Sequence, residues 1–246
     1  VLGITLTKRH DQPMAGIPHH AAPAYVQKLL AAGIKVALCD QVEQPVPGKL
    51  VRRALTRILT PGTALEDSQL DSRRGNYLLA LSWDKSGWHA AWLDVSTADF
   101  RIATEPTPDR LFPLLHALAP SEVILPEGLE TPDAHGEALG QLLAGRPVTR
   151  TPGWNFDVAA GARLACQTLA VHSLAGFGID ETHPALGAAG AVLAYVTDSL
   201  CDRPGNLRRL AEVRLGQSVL LDPASSRNLE LFATQSGRRE GSLVET

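Results

Sequence analysis

Cysteine is scarce in this sequence: Cys39, Cys166 and Cys201 are the only three, widely spaced and set in apolar surroundings. An odd number at such spacing builds neither a disulfide framework nor a Cys-x-x-Cys metal site, so they read as small core residues. Long apolar runs are missing, and nothing approaches the roughly 18 to 20 uncharged residues of a membrane span. The opening VLGITLTKRHD lacks the basic, apolar, small-residue order of a secretory leader, and a cytoplasmic protein is expected. Phosphate-cradling loops are missing too. There is no Gly-x-x-x-x-Gly-Lys-Ser/Thr and no Gly-x-Gly-x-x-Gly, and Gly176-Phe177-Gly178 reads as a turn after a helix. Neither a Gly-x-Ser-x-Gly elbow nor a glycine-flanked cysteine offers a nucleophile. His19 and His20 are adjacent, point different ways and have no third ligand at metal spacing, so they read as a turn or helix start.

What is present is the make-up of a globular chain. With 246 residues, 44% hydrophobic and 20% charged, the sequence holds one large domain or two to three small ones. Collagen-like, coiled-coil and mainly disordered chains are excluded. The net charge of −3 hides an asymmetry: residues 1–60 carry eight Lys or Arg against three acids, and the remainder 15 against 23. A basic first quarter on an acidic chain is the split expected where one end meets a polyanion. A basic surface that is merely solvated stands beside that reading on composition alone.

Periodicity predicts the elements. Leu2, Ile4 and Leu6 alternate as a strand with nothing ahead of it to cover it, which leads us to expect a truncated start. Pro13, Gly16 and Pro18 break the chain. AAPAYVQKLLAAG then reads as a helix with Tyr25, Leu29 and Leu30 on one face and Gly33 as its stop. Strands are predicted over 34–42 and 50–60, and a linker over 62–75. Residues 76–83, 87–95 and 98–104 form a three-stranded antiparallel meander. A helix over 108–118, a strand over 122–126, a helix near 133–144 and a strand near 147–150 follow, then helices near 156–171 and 185–200. A meander followed by alternating α and β elements is the order of an RNase H-like α/β domain. After the break at Arg203-Pro204-Gly205-Asn206, a strand is predicted over 217–222 and a helix capped by Asp222 with Pro223 behind it. That helix has only begun where the sequence stops, so a second truncation is expected.

Two constellations invite a function. Asp94 at the end of a meander strand, Glu122 at the start of the next strand and Asp198 late in the last helix are the only acids placed to clamp Mg²⁺ for a stand-alone RNase H-like nuclease. The competing reading of Asp94 is a cap on the Ser96-Thr97 turn. Lys8 and Arg9 follow the first strand, and Arg52, Arg53 and Arg57 lie on the last strand of the first segment. Cations so placed reach phosphates without sequence preference and give salt-sensitive DNA affinity.

PMAGIPHHAAPAYVQKLLAAGIKVALCDQVEQP (13–45), with LVRRALTRILTPGT (50–63), resembles the second half of the mismatch-binding domain of the MutS family of DNA mismatch-repair proteins. NYLLAL, WLDVSTADFRI, WNFD, LAGFGI and AGAVLAYVTDSL resemble the connector domain of that family, and SVLLDPASSRNLEL the opening of its core, or lever, domain. The resemblance covers essentially the whole chain and excludes relatives that lack the first two domains. It implies an incomplete α/β mismatch-binding domain over 1–61, a linker over 62–75, an RNase H-like α/β connector over 76–202 and the start of an α-helical core over 207–246. The family's mismatch wedge is a Phe-x-Glu motif, and no Phe-x-Glu occurs here. Its Walker ATPase, using ATP and Mg, and its dimer-forming region are implied to lie beyond Thr246. The resemblance thus implies a fragment without catalytic site, metal or cofactor, taken from a homodimeric, ATP-dependent sensor of mismatched double-stranded DNA in the bacterial cytosol, associated with the nucleoid and not with a membrane. Lys8, Arg9 and Met14 match the loop beside DNA. The connector is implied to meet a MutL-like partner, and Arg163 and Gln167, one turn apart on the polar side of the helix after WNFD, are the candidate surface.

Overall fold

The computed structural model describes residues 2–9, 11–45, 49–64, 75–130, 135–215, 228–230, 234 and 243. Its N-terminal unit opens with a hairpin of β1 (Leu6–Arg9) and β2 (Gln12–Ala15), paired antiparallel with Lys8 opposite Pro13 and Thr7 opposite Met14. This corrects two expectations. The first strand starts at Leu6 instead of Leu2, and Lys8, Arg9 and Met14 stand in paired strands, not in a loop. Pro13 was expected to break the chain; in a two-stranded hairpin its missing N–H faces outward and costs no ladder bond. The turn is made by Asp11 at φ 59°, a left-handed conformation that Asp tolerates better than most residues.

Helix α1 (Ala22–Ala31) has Pro in its first turn and buries Val26 and Leu30, one turn apart. It leads to the antiparallel pair β3 (Val36–Gln41) and β4 (Arg53–Leu59), which shifts register between Leu38 and Cys39. Val26, Leu30, Leu59 and Ala64, with Val36 and Leu38 against them, make a small core between helix and strands. The linker expected from residue 62 opens on buried residues. Pro61–Thr63 is a 3-10 turn with Gly62 and Thr63 buried, and the Thr60 N–H donates to Thr63 Oγ1 at 3.2 Å.

The larger unit is a six-stranded sheet of order β10-β7-β6-β5-β8-β9. Strands β5 (Tyr77–Asp84), β6 (Gly87–Asp94) and β7 (Asp99–Glu105) form the antiparallel meander. Parallel to its two sides run β8 (Glu122–Pro126) with β9 (Val148–Thr151), and β10 (Ala211–Glu212). Both faces are covered, so β5, β6 and β8 read as nearly continuous apolar runs. One face packs Leu78, Ala80, Leu93 and Ile124 against α4 (Val158–Leu169) and α5 (Leu186–Leu200). The other packs Leu79, Trp92 and Leu125 against α2 (Pro108–Leu118) and α3 (Gly136–Leu143).

Cys39 and Cys201 are exposed and Cys166 is half-buried, so the cysteines are not the core residues expected from their neighbours. Both exposed ones sit where an element shows its outer side, at the bulge of β3 and just past the end of α5. The strand expected over 217–222 and the opening of the helix expected after it lie outside the described residues.

Candidate functional site

Basic and apolar side chains share the open surface of the N-terminal unit. Throughout β2 every residue is exposed, and Leu6 and Met14 stand 70% and 45% open to solvent. Lys8, Lys28, Lys49, Arg52 and Arg53 are exposed as well. Lys28 lies 5.6 Å over the Tyr25 ring. The Arg52 backbone N–H donates to Glu43 Oε1 at 2.6 Å, which leaves its guanidinium outside that contact. Arg57 is half-buried, because the bulge places it opposite Leu38 on the side of the small core. Exposed cations on one unit suit a polyanion contacted through its charge rather than its sequence.

The three acids proposed for a nuclease do not meet. Asp94 pairs with Tyr77, and Glu122 with Leu78. Successive positions of β5 face opposite sides of the sheet, so the two carboxylates point away from one another. Asp94 is buried and fully engaged: its Oδ1 accepts from the Ser96 N–H at 2.9 Å, the Ser96 hydroxyl at 2.6 Å and the Thr97 N–H at 3.3 Å, and its Oδ2 from the Asn76 N–H at 3.0 Å. It is the turn cap that its position suggested. Asp198 is exposed near the end of α5. Among the described residues no three His, Cys, Asp or Glu side chains gather where they could hold a metal ion. His19 and His20 are exposed in a 3-10 turn. The nuclease reading has no support.

Glu122 is instead the centre of a junction between the two units, which the sequence did not disclose. Its side chain is wholly buried. Oε1 accepts from the Tyr195 hydroxyl at 2.6 Å and the Thr149 hydroxyl at 2.8 Å, and the Lys35 ammonium lies 3.4 Å from it. Oε2 accepts from the Gly62 N–H at 3.2 Å. Lys35 also donates to Thr149 Oγ1 at 2.7 Å and sits 5.0 Å over the Tyr195 ring. Burial, then the charge of Glu122, pushes the Tyr195 phenol well above its ordinary value, so it stays a donor at neutral pH. The only sequence signal for this cluster was a carboxylate opening the otherwise apolar run EVILP. A buried charge there needs partners, yet nothing local says which.

Arg163 and Gln167 are both exposed on α4. That helix is capped by Asp157, whose Oδ1 accepts from the Ala160 N–H at 2.7 Å. Its inner side packs so closely on α5 that a Cβ at Gly161 would run into the Leu186 carbonyl.

The structure is thus mixed α/β, a six-stranded sheet covered on both faces beside a small basic unit. The family model for MutS domain II matches residues 76–208 and that for MutS domain I matches residues 1–68. The chain belongs to the MutS family. It is 36% identical over 250 residues to the DNA mismatch repair protein MutS of Myxococcus xanthus (strain DK1622), with 99% of this chain and 28% of the relative covered. To the DNA mismatch repair protein MutS of Syntrophobacter fumaroxidans (strain DSM 10017 / MPOB) it is 38% identical over 260 residues, covering 100% of this chain and 28% of the relative. The chain therefore spans little more than a quarter of the length of these relatives. Among the described residues no helix is long and apolar enough to cross a membrane.

Proposed function

We propose that this chain is the DNA-proximal scaffold and connector of a mismatch-sensing MutS protein and carries out no chemistry itself. The observation that carries the reading is the coincidence of two independent features: the part that matches MutS domain I also holds the surplus of cations and the exposed hairpin. In this reading Lys8, Arg9 and Met14 face double-stranded DNA, and the six-stranded unit meets a MutL-like partner through the outer side of α4. Mismatch recognition, ATP and Mg use, and homodimer formation belong to the whole protein, acting in the bacterial cytosol at the nucleoid. The strand order β7-β6-β5-β8-β9, an antiparallel meander extended by parallel strands, supports an RNase H-like connector. Assignment of 207–246 to a helical core rests on the resemblance of SVLLDPASSRNLEL alone.

Fluorescence titration of the chain against matched and G·T-containing duplexes at several salt concentrations tests this. Phosphate contacts release counterions, so binding is expected to be weak and to fall as salt rises. Without a Phe-x-Glu wedge to stack at an unstacked step, the two duplexes bind equally. Lys8→Ala with Arg9→Ala weakens both alike and flattens the salt slope by up to about two units. Absence of binding at low salt, or a tenfold preference for the G·T duplex, roughly 1.4 kcal/mol, overturns the proposal.

A further inference from the structure

Strand β9 ends the six-stranded sheet and pairs on one side only, with β8. The carbonyls of Pro147 and Thr151 accept from the Val123 and Glu127 N–H groups, and Thr149 pairs with β8 between them. Along a parallel ladder such bonds use every second residue. The N–H and C=O groups of Val148 and Arg150 therefore turn away from β8, and among the described residues nothing pairs with them. The N-terminal unit comes close without using them. A Cβ on Gly33 would stand 3.2 Å from Pro147 Cγ, and Lys35 donates to the Thr149 side chain. An unpaired edge is a template for one more strand, which proteins guard with short length, proline and charge. All three guards are here: β9 has four residues, Pro147 and Pro152 bracket it, and Arg150 stands on it. They limit what can add to a short segment of suitable charge, and they leave the edge open.

We propose that the outer edge of β9 is a docking site for a short, extended, acidic segment of a partner protein, which adds there as a seventh strand. Backbone bonds to Val148 and Arg150 supply the attachment, and side chains on the two faces supply the selection. From Ala144 to Asn155 the chain carries Arg146 and Arg150 and no acid. Arg150 Nη1 donates to the Pro126 carbonyl at 3.3 Å and Arg146 to the Leu142 carbonyl, so among the described residues both meet neutral oxygens and no carboxylate. The acids nearest in the chain and the ladder stand past the strand's end: Asp157 caps α4, and Glu127 follows β8. Apolar anchors are on hand as well. Val148 is 40% exposed, and Trp154, in the turn Gly153–Phe156, is 75% exposed, although tryptophan is usually well buried. Val148 and Arg150 share the face on which Val123 packs, whereas the turn that holds Trp154 packs on α5, behind the other face. A segment alternating acidic and apolar residues therefore meets Arg150 with one set and Trp154 with the other. A second copy of this chain laid edge to edge would instead bring arginines together.

The probe is a blocked seven-residue peptide of alternating Glu and Val, titrated into the isotopically labelled chain and followed by nuclear magnetic resonance. It is expected to saturate one site and to slow amide exchange at Val148 and Arg150. Two versions methylated on alternate backbone nitrogens keep the charge, and the one that blocks the paired set binds at least tenfold more weakly. Arg150→Glu, an exposed change expected to leave the melting temperature as it was, weakens the Glu peptide at least tenfold and admits the matching Lys peptide. Lys8→Ala with Arg9→Ala leaves the affinity unchanged, because the site is not the basic unit. No saturable binding, equal binding of both methylated peptides, or loss of binding with Lys8→Ala and Arg9→Ala overturns the proposal. So does self-association of the chain that Arg150→Glu alters, since the occupant is then a second copy. The measurement uses no DNA, so the docking edge and the DNA reading fail separately.

Discussion

Asp94 and Glu122 are both buried acids of the same sheet, and each is engaged by donors of the protein itself. Asp94 spends its oxygens on three backbone N–H groups and one hydroxyl; Glu122 spends its own on two hydroxyls, one N–H and a cation. A carboxylate that already accepts so many hydrogen bonds is a structural organiser. Small residues organise the face of the sheet that α4 and α5 cover. Gly161 and Gly190 allow α4 and α5 to touch backbone to backbone, and a Cβ at Gly190 would stand 2.7 Å from Gly161 Cα. Gly161→Ala therefore forces two helices apart, with an expected cost of about 1–3 kcal/mol in a urea melt. An unchanged midpoint would mean that the helices slide past one another without penalty. Asp84 carries a pH dependence. The Ser86 hydroxyl at 2.5 Å, against a smaller desolvation and with help from His89 at 3.1 Å, holds its carboxyl below the ordinary 3.8, at about 2. Because the folded value is depressed, the stabilisation is present above the unfolded value and is lost as pH falls from about 4 to about 2. The side chain is 62% exposed, so solvent keeps this contribution small. Asp84→Asn is expected to flatten the loss of stability across that window and to leave its slope above about pH 5 unchanged, as read by urea melts at stepped pH.

At the scale of elements, what can be read from sequence follows what is local. Helix α2 and strand β8 run over the residues that sequence predicts, because Pro108 marks the helix start and the run 122–126 is buried on every residue. The β1–β2 hairpin was legible only in part: the alternation of Leu2, Ile4 and Leu6 led up to β1, but β2 is exposed on every residue and no apolar alternation marks it. Strand β10 is two residues long and exists only through its pairing with β7, which no window of sequence contains. The cluster around Glu122 was illegible for the same reason. Lys35 entered only as a unit of charge, and its partners come from β8, β9 and α5. Exposure of Arg163 and Gln167 on α4 agrees with their expected place on its polar side. Arg163→Glu with Gln167→Glu should weaken capture of a MutL-like protein at least tenfold in a surface-binding assay while leaving the helix content unchanged; equal capture would mean that another surface is used.

The two units of the chain differ in charge and in cover, and the proposed roles follow that difference. The six-stranded unit buries both faces of its sheet and holds most of the core; the small basic unit exposes its hairpin and is joined on by β4 packing on α5 and by the turn and the cation that meet at Glu122. A part that meets a polyanion needs open cations, and a part that connects needs a rigid body. The most direct test of this division is hydrogen exchange of the chain with and without a short duplex at low salt. Backbone amides of Leu6–Ala15 and of the segment from Lys49 to Arg53 are expected to gain protection, while those of the central strands β5 and β6 stay as they were. Protection confined to the six-stranded unit, with none in the hairpin, would contradict the account.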